Sequence, residues 1–318
     1  MRMPRRTEVS LSEKEVAELG ISKPSELPIT QRASALRRLD WSALIGVAPF
    51  FIFALVMMVA PTVALIANAF VDQQGHLTFG NFADLNTPEV TGAFAESIRL
   101  SAASAVLGAV IGLGLALNVG RGIGSTQVRS IVMTFCGVAS NFSGVPLAFA
   151  FVATLGRLGL VTAAIKAAFG IDIYAAGFDL ASFWGLTVTY LFFQIPITVT
   201  IMMPAIDGLR RDWREAASIL GASSWQYWRH IGLPILWPSL LGTLALLFAN
   251  SFGAIATAYA LTGYAVNIVP ILLYAQIRGD VLHNENLGAA LALGMIIVMA
   301  FANAIYLVLR TRAERWLR

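Results

Sequence analysis

Seven side chains carry hydrogen-bonding groups into stretches that are otherwise apolar: Asn141, Ser143, Tyr190, Gln194, Asn250, Ser251 and Tyr259. Amides and hydroxyls of this kind hold a polar solute without exchanging protons with it at neutral pH. Each also has a plainer reading, an interhelical hydrogen bond worth about 0.6–2 kcal/mol. Three stretches with central polar groups beside Pro or Gly (Asn141 and Ser143 before Gly144 and Pro146, Gln194 before Pro196, Asn250 and Ser251 before Gly253) are together better explained by a polar pathway. Other chemistry is poorly provided for. No Asp, Glu, Lys or Arg falls deep in an apolar stretch, which argues against a proton relay or a voltage sensor. The single cysteine, Cys136, allows no internal disulfide, and His76, His230 and His283 lie far apart, so no metal site is expected. None of Lys14, Lys23 and Lys166 follows a glycine, which excludes a phosphate-cradling GK[ST] loop and ATP hydrolysis by this chain alone.

A second set of residues forms a short charged interruption in the apolar sequence. In DWREAASILGASSWQYWRHIGLP, Asp212 to Pro234, the residues Trp213, Ala216, Ala217 and Leu220 form one helical stripe about two turns long. Gly221 is placed to stop that helix in the left-handed conformation. Ser223 and Ser224 are good N-caps for a second short helix carrying Trp225, Trp228 and Ile231, which Gly232 and Pro234 are expected to end. The plain reading of this elbow is an interfacial hairpin in which Glu215 only pairs with Arg211.

The elements that hold both sets follow from composition. The chain is 318 residues long, 57% hydrophobic and 13% charged, where soluble domains carry roughly 25% charged residues. It reads as an all-α integral membrane protein with about six transmembrane helices, near 43–69, 97–119, 130–155, 181–205, 235–261 and 287–309. Residues 1–40 form a polar tail in which Ser12 and Glu15 fit a capping box, and no signal peptide is expected there. Residues 41–318 form the membrane domain, with the elbow at 207–234. Gly108 and Gly112 make a small-xxx-small pair suited to close helix packing. With the N-terminus inside, 18 of the 22 Lys and Arg residues lie on the inner side and three outside, with Arg99 at a boundary. That asymmetry predicts an N-in, C-in topology and a cytoplasmic elbow. The outer segment around Leu160, Ala163, Ala164 and Ala167 fits a short helix at the membrane surface, too short to span and interrupted by Lys166.

The elbow carries a resemblance. Glu215-Ala216-Ala217, three residues, Gly221, nine residues, then Ile231-x-Leu233-Pro234 is similar to the EAA loop of bacterial ABC-importer permeases. The resemblance covers roughly 45–310, and Asp207 matches an acidic residue those proteins often carry before the loop. It implies an inner-membrane permease whose elbow (Glu215, Ala216, Ala217, Gly221, Ile231, Leu233, Pro234) docks on a cytoplasmic ABC ATPase dimer. ATP and Mg would then sit on the ATPase, with no cofactor in this chain. A second permease subunit, like or unlike, and an extracytoplasmic solute-binding protein are the other implied partners, with membrane lipids around them. Nucleic acid is not an expected partner.

The text resembles permeases of the polyamine, iron(III), thiamine and phosphonate group. Eight acidic residues on the outer segments (Asp72, Asp84, Glu89, Glu96, Asp172, Asp179, Asp280, Glu285) lean towards a cation such as spermidine or putrescine, although positive-inside topology alone gives the same imbalance. A phosphonate, iron(III) or thiamine remains an alternative. An ion-coupled transporter or channel would want intramembrane charge or an internal repeat, and a membrane enzyme would want clustered His, Asp, Glu or Cys; the sequence offers none of these.

Overall fold

A computed structural model describes residues 41–72, 74–120, 126–278 and 284–314. The tail 1–40 with Ser12 and Glu15, and also Arg121, Asp280, His283 and Arg315, lie outside the described residues. Among those described, the regular structure is helical, with one isolated bridge between Val71 and Leu77.

The chain divides into two units, residues 1–61 and 62–318. In the first, α1 (Trp41–Ala54) leads through a π-helical turn at Leu55–Val59 to the start of α2 (Ala60–Asn68). The π turn lies just before Pro61. The Ala60 N–H donates to Leu55 O, five residues back. Widening the turn in this way relieves the clash between a proline ring and the carbonyl four residues before it.

The second unit continues with α3 (Gly80–Ala83), α4 (Pro88–Gly120), α5 (Thr126–Ala139), α6 (Val145–Leu155), α7 (Leu160–Phe169) and α8 (Phe183–Asp207). After α8 come α9 (Arg211–Ile219), α10 (Ser224–Tyr227), a second π turn at Trp228–Gly232, α11 (Leu233–Phe252), α12 (Ile255–Thr262), α13 (Val269–Arg278) and α14 (Glu285–Glu314). Among the described residues, six stretches are long and apolar enough to cross a membrane: 46–68, 88–120, 145–169, 183–207, 224–252 and 285–312.

Helices α4 and α8 form the centre. In lipid the apolar effect does not drive helices together, so close van der Waals contact at small residues must do so. On α4, a Cβ at Gly108 would meet Gln194 at 2.8 Å, one at Gly112 would meet Thr198 at 2.5 Å, and one at Gly120 would meet Ile206 at 2.7 Å. The small-xxx-small pair thus faces α8, as the spacing predicts. Around α8, one apolar cluster joins Leu100, Leu147, Tyr190, Phe193 and Ala258, and another joins Cys136, Met202, Met203, Ile206 and Leu236.

Three expectations are corrected. The predicted third span, 130–155, is divided between α5 and α6 at Ser140–Gly144, and the candidate crossing stretch is 145–169 instead. That stretch takes in α7, the helix expected at the surface, and is itself interrupted between Leu155 and Leu160. The predicted fifth span, 235–261, breaks between Phe252 and Ile255. Gly232 and Pro234 do not end the second elbow helix. The Leu233 N–H reaches back to Trp228 O, and this π turn carries the chain into α11 with Pro234 in its first turn, where a missing amide proton costs nothing. Two π turns, each ahead of an X-Pro pair, therefore solve the same steric problem.

Candidate functional site

The two helix breaks meet. Gly144, with φ +75, turns the chain into α6, and its N–H donates to Thr257 Oγ1 at 2.8 Å. The same hydroxyl donates back to Gly144 O at 3.3 Å. One side chain of α12 thus serves the Gly144 N–H, which has no helical acceptor, and shares the Gly144 carbonyl with the Ala148 N–H of α6. On the other side of the α11–α12 break, the Tyr190 hydroxyl donates to Ala254 O at 2.8 Å. Backbone freed from the helical ladder is tolerated at membrane depth only where protein or a cavity satisfies it, and both apply here.

Between the breaks lies a cavity of about 420 Å³, lined by Ser140, Asn141, Ser143, Gly144, Phe193, Ala249, Asn250 and residues 253–257. Its wall carries no charged side chain. Asn141 Nδ2 donates to Gly137 O at 2.9 Å, while Asn250 and Ser143 are exposed and their side chains make no hydrogen bond among the described residues. The helices that start here, α6 and α12, have Gly144 and Ala254 as N-caps, neither with a side-chain hydrogen bond. The Ile255 N–H donates to Gly253 O and Pro146 has no amide proton, so what reaches the cavity is the N-cap Gly144 of α6 and the first turn of α12, residues 255–257, at the positive end of its dipole.

Of the seven residues singled out from sequence, Asn141, Ser143 and Asn250 line this cavity. Tyr190 and Ser251 are buried behind its wall. Gln194 is fully buried between helices; its Nε2 donates to Ser104 Oγ at 3.2 Å, and Ser104 Oγ lies 2.9 Å from Ser251 Oγ. Gln194 Oε1 has no hydrogen-bond partner among the described residues. Tyr259 packs edge-on against Tyr264 at 5.4 Å and tilted against Tyr274 at 5.2 Å, away from the cavity lining. Sequence reasoning passed over Ser140 and Phe193 as cavity residues and Ser104 as the link in the buried chain. The Gly144-Val145-Pro146 and Gly253 positions were the signals for the breaks.

The elbow is built from local rules. Helix α9 closes with the Ala222 N–H on Ala217 O and the Gly221 N–H on Ser218 O, the pattern that puts a glycine in the left-handed region. Gly221 takes φ +78. Ser223 caps α10 reciprocally: the Gln226 N–H donates to Ser223 Oγ at 3.3 Å, and the Ser223 N–H donates to Gln226 Oε1 at 2.7 Å. Trp213, Ala216, Ala217 and Leu220 line a groove of about 460 Å³ together with Tyr227, Ile231 and Ile235. Gly232 is buried against the Trp228 ring; a Cβ there would come within 2.6 Å of it. Leu233 is 41% exposed and Pro234 is exposed. Ile219 and Leu220, each 86% exposed, and Trp225, 72% exposed, present apolar surface to the outside. Glu215 is exposed and makes no ion pair among the described residues; the local pair is Arg210 with Asp212 at 2.7 Å. Asp207, at the end of α8, is paired with Arg129 of α5.

Residues 108–318 match the family model described as "Binding-protein-dependent transport system inner membrane component". The chain is 27% identical over 226 residues to the molybdenum transport system permease protein ModB of Mycobacterium tuberculosis, covering 70% of this chain and 79% of that protein. It is 28% identical over 121 residues to the spermidine/putrescine transport system permease protein PotC of Escherichia coli, covering 38% of this chain and 46% of that one. Its fold is similar to that of a bacterial ABC transporter involved in alginate import, with a TM-score of 0.67 and 19% identity over 86% of this chain and 98% of that one. The fold and the family match together make this chain a multi-pass inner-membrane permease subunit of an ABC importer, a member of the binding-protein-dependent transport system inner membrane component family.

Proposed function

We propose that the cavity between the two helix breaks is the passage for a small polar solute and that the Arg211–Tyr227 elbow takes the push of a separate ATPase. The observation that carries this reading is the pairing of an uncharged, hydrogen-bonding cavity with an elbow whose Ile219, Leu220 and Trp225 stay largely uncovered among the described residues. The partners are an ABC ATPase dimer holding ATP and Mg, a second permease and a solute-binding protein, with the N- and C-termini and the elbow on the cytoplasmic side. The resemblance to ABC importers supports these partners.

For the solute, a small oxyanion is the preferred reading. The first turn of α12 and the N-cap Gly144 of α6 line a cavity without a carboxylate, an arrangement that favours negative charge. The likeness to ModB, over more of the chain than the likeness to PotC, supports it. A polyamine, the solute suggested by the outer acidic residues, is the second reading; none of those among the described residues lines the cavity. The test is ATP-dependent uptake by the chain reconstituted with its ATPase and binding protein, offered molybdate, sulfate or spermidine. Asn250→Asp places a carboxylate in the wall. It should lower oxyanion uptake on the order of tenfold, through like-charge repulsion in a desolvated site. Spermidine uptake that survives or rises in this variant selects the polyamine reading, and no ATP-dependent uptake of any solute overturns the importer reading.

A further inference from the structure

We propose that the Arg129–Asp207 ion pair is a positioning clasp that carries elbow displacement to the cavity wall, an inference that rests on the importer reading above. Among the described residues, the other three ion pairs join neighbours in sequence: His76 with Asp72, Lys166 with Asp172 and Arg210 with Asp212. Arg129 and Asp207 are 78 positions apart and tie two helices together.

Their placement is specific. Asp207 is the last residue of α8, and the elbow helix α9 begins at Arg211. Arg129 lies in the first turn of α5, whose far end at Ala139 leads directly into Ser140, Asn141 and Ser143 of the cavity wall. A straight helix of that length reaches about 20 Å, so α5 behaves as a lever with the clasp at one end and the cavity at the other. Below the clasp, Val132, Met133 and Cys136 of α5 pack with Met203 and Ile206 of α8, and the same cluster includes Leu209 and Trp228 from either side of the elbow. Apolar packing holds α5 against α8 but allows sliding, because it has no direction. An ion pair at the edge fixes the register. The two side chains are 40% and 43% exposed, so the pair adds little to stability and its removal leaves the packed cluster in place.

The test reads the cavity end while the clasp end is changed. In a Cys136→Ser, Ser143→Cys background, the chain is assembled with its ATPase and labelled by a small thiol reagent with and without a non-hydrolysable ATP analogue. The parent should change its labelling rate on the order of fivefold or more on adding the analogue, the scale of ordinary site-to-site coupling. Arg129→Gln and Asp207→Asn should each abolish most of that change at an unaltered melting temperature, and the exchange Arg129→Asp with Asp207→Arg should restore it. Single variants that respond like the parent overturn the clasp alone. So does an exchange that fails to restore the response, or a response lost together with the melting transition, which assigns the pair to folding. A parent that does not respond to the analogue overturns the importer reading and the clasp with it.

Discussion

Gly221 holds φ +78 with open space where a Cβ would stand. A side chain there meets backbone strain alone, roughly 1–2 kcal/mol for a β-branched residue. Gly221→Val should therefore leave membrane assembly intact but tilt α9 against α10, giving ATP hydrolysis that no longer depends on solute. Gly221→Asn, which tolerates this conformation, should keep more of the coupling. Uptake and ATPase rates measured on the same preparation decide between these outcomes. Gln194 calls for the opposite expectation. It is fully buried, with one hydrogen bond to Ser104 and an unpartnered Oε1. Gln194→Leu loses the first and removes the second, so stability should move by only about 1 kcal/mol and uptake per assembled complex should hold. A steep fall in uptake at normal assembly would place Gln194 on the solute's path. The sequence made Asn250 and Ser251 look alike, two polar neighbours in one apolar run. A helix turns about 100° per residue, so one of them lines the cavity and the other meets Ser104 of α4. Polarity is legible in a sequence; the direction of a side chain is set by the neighbouring helix.

At the scale of elements, helix existence followed from apolar length and helix continuity did not. Proline was expected to end the elbow's second helix, yet Pro234 sits in the first turn of α11 and Pro61 in α2, each after a π turn. Proline also lies inside α8 at Pro196 and Pro204. The actual interruptions fall at Ser140–Gly144 and at Gly253-Ala254, where a partner element supplies the missing hydrogen bonds through Thr257 and Tyr190. Those partners are 113 and 64 positions away, a separation no local pattern records. The close approach of α4 to α8 was readable, because small residues four apart announce it. It gives a sharp contrast between two neighbouring glycines. Gly112→Leu drives a side chain into Thr198 and Ile195 O and should cost roughly 1–3 kcal/mol or more, seen as a lower melting temperature and less assembled protein. Gly114→Leu faces open space, with nothing within 4 Å of its Cβ, and should assemble normally.

For the whole molecule, the uncharged cavity wall has an electrical consequence. Charged side chains that move through the membrane field in one half of a cycle return in the other, so they give transient currents but no net charge per turnover. Here the wall between the breaks adds no such transient, and the steady current should equal the solute's own valence times its flux. The membrane potential then acts on the cargo alone, at about 2.3 kcal/mol per elementary charge per 100 mV. With a negative interior, a divalent oxyanion must be driven uphill through that field by the ATPase, and a polyamine is drawn down it. Collapsing the potential with an ionophore should accordingly raise the oxyanion's accumulation ratio and lower the polyamine's. Simultaneous recording of current and isotope flux in proteoliposomes should give a charge-to-solute ratio that is a whole number matching the cargo. A ratio that exceeds the cargo's valence would mean that another ion crosses with it.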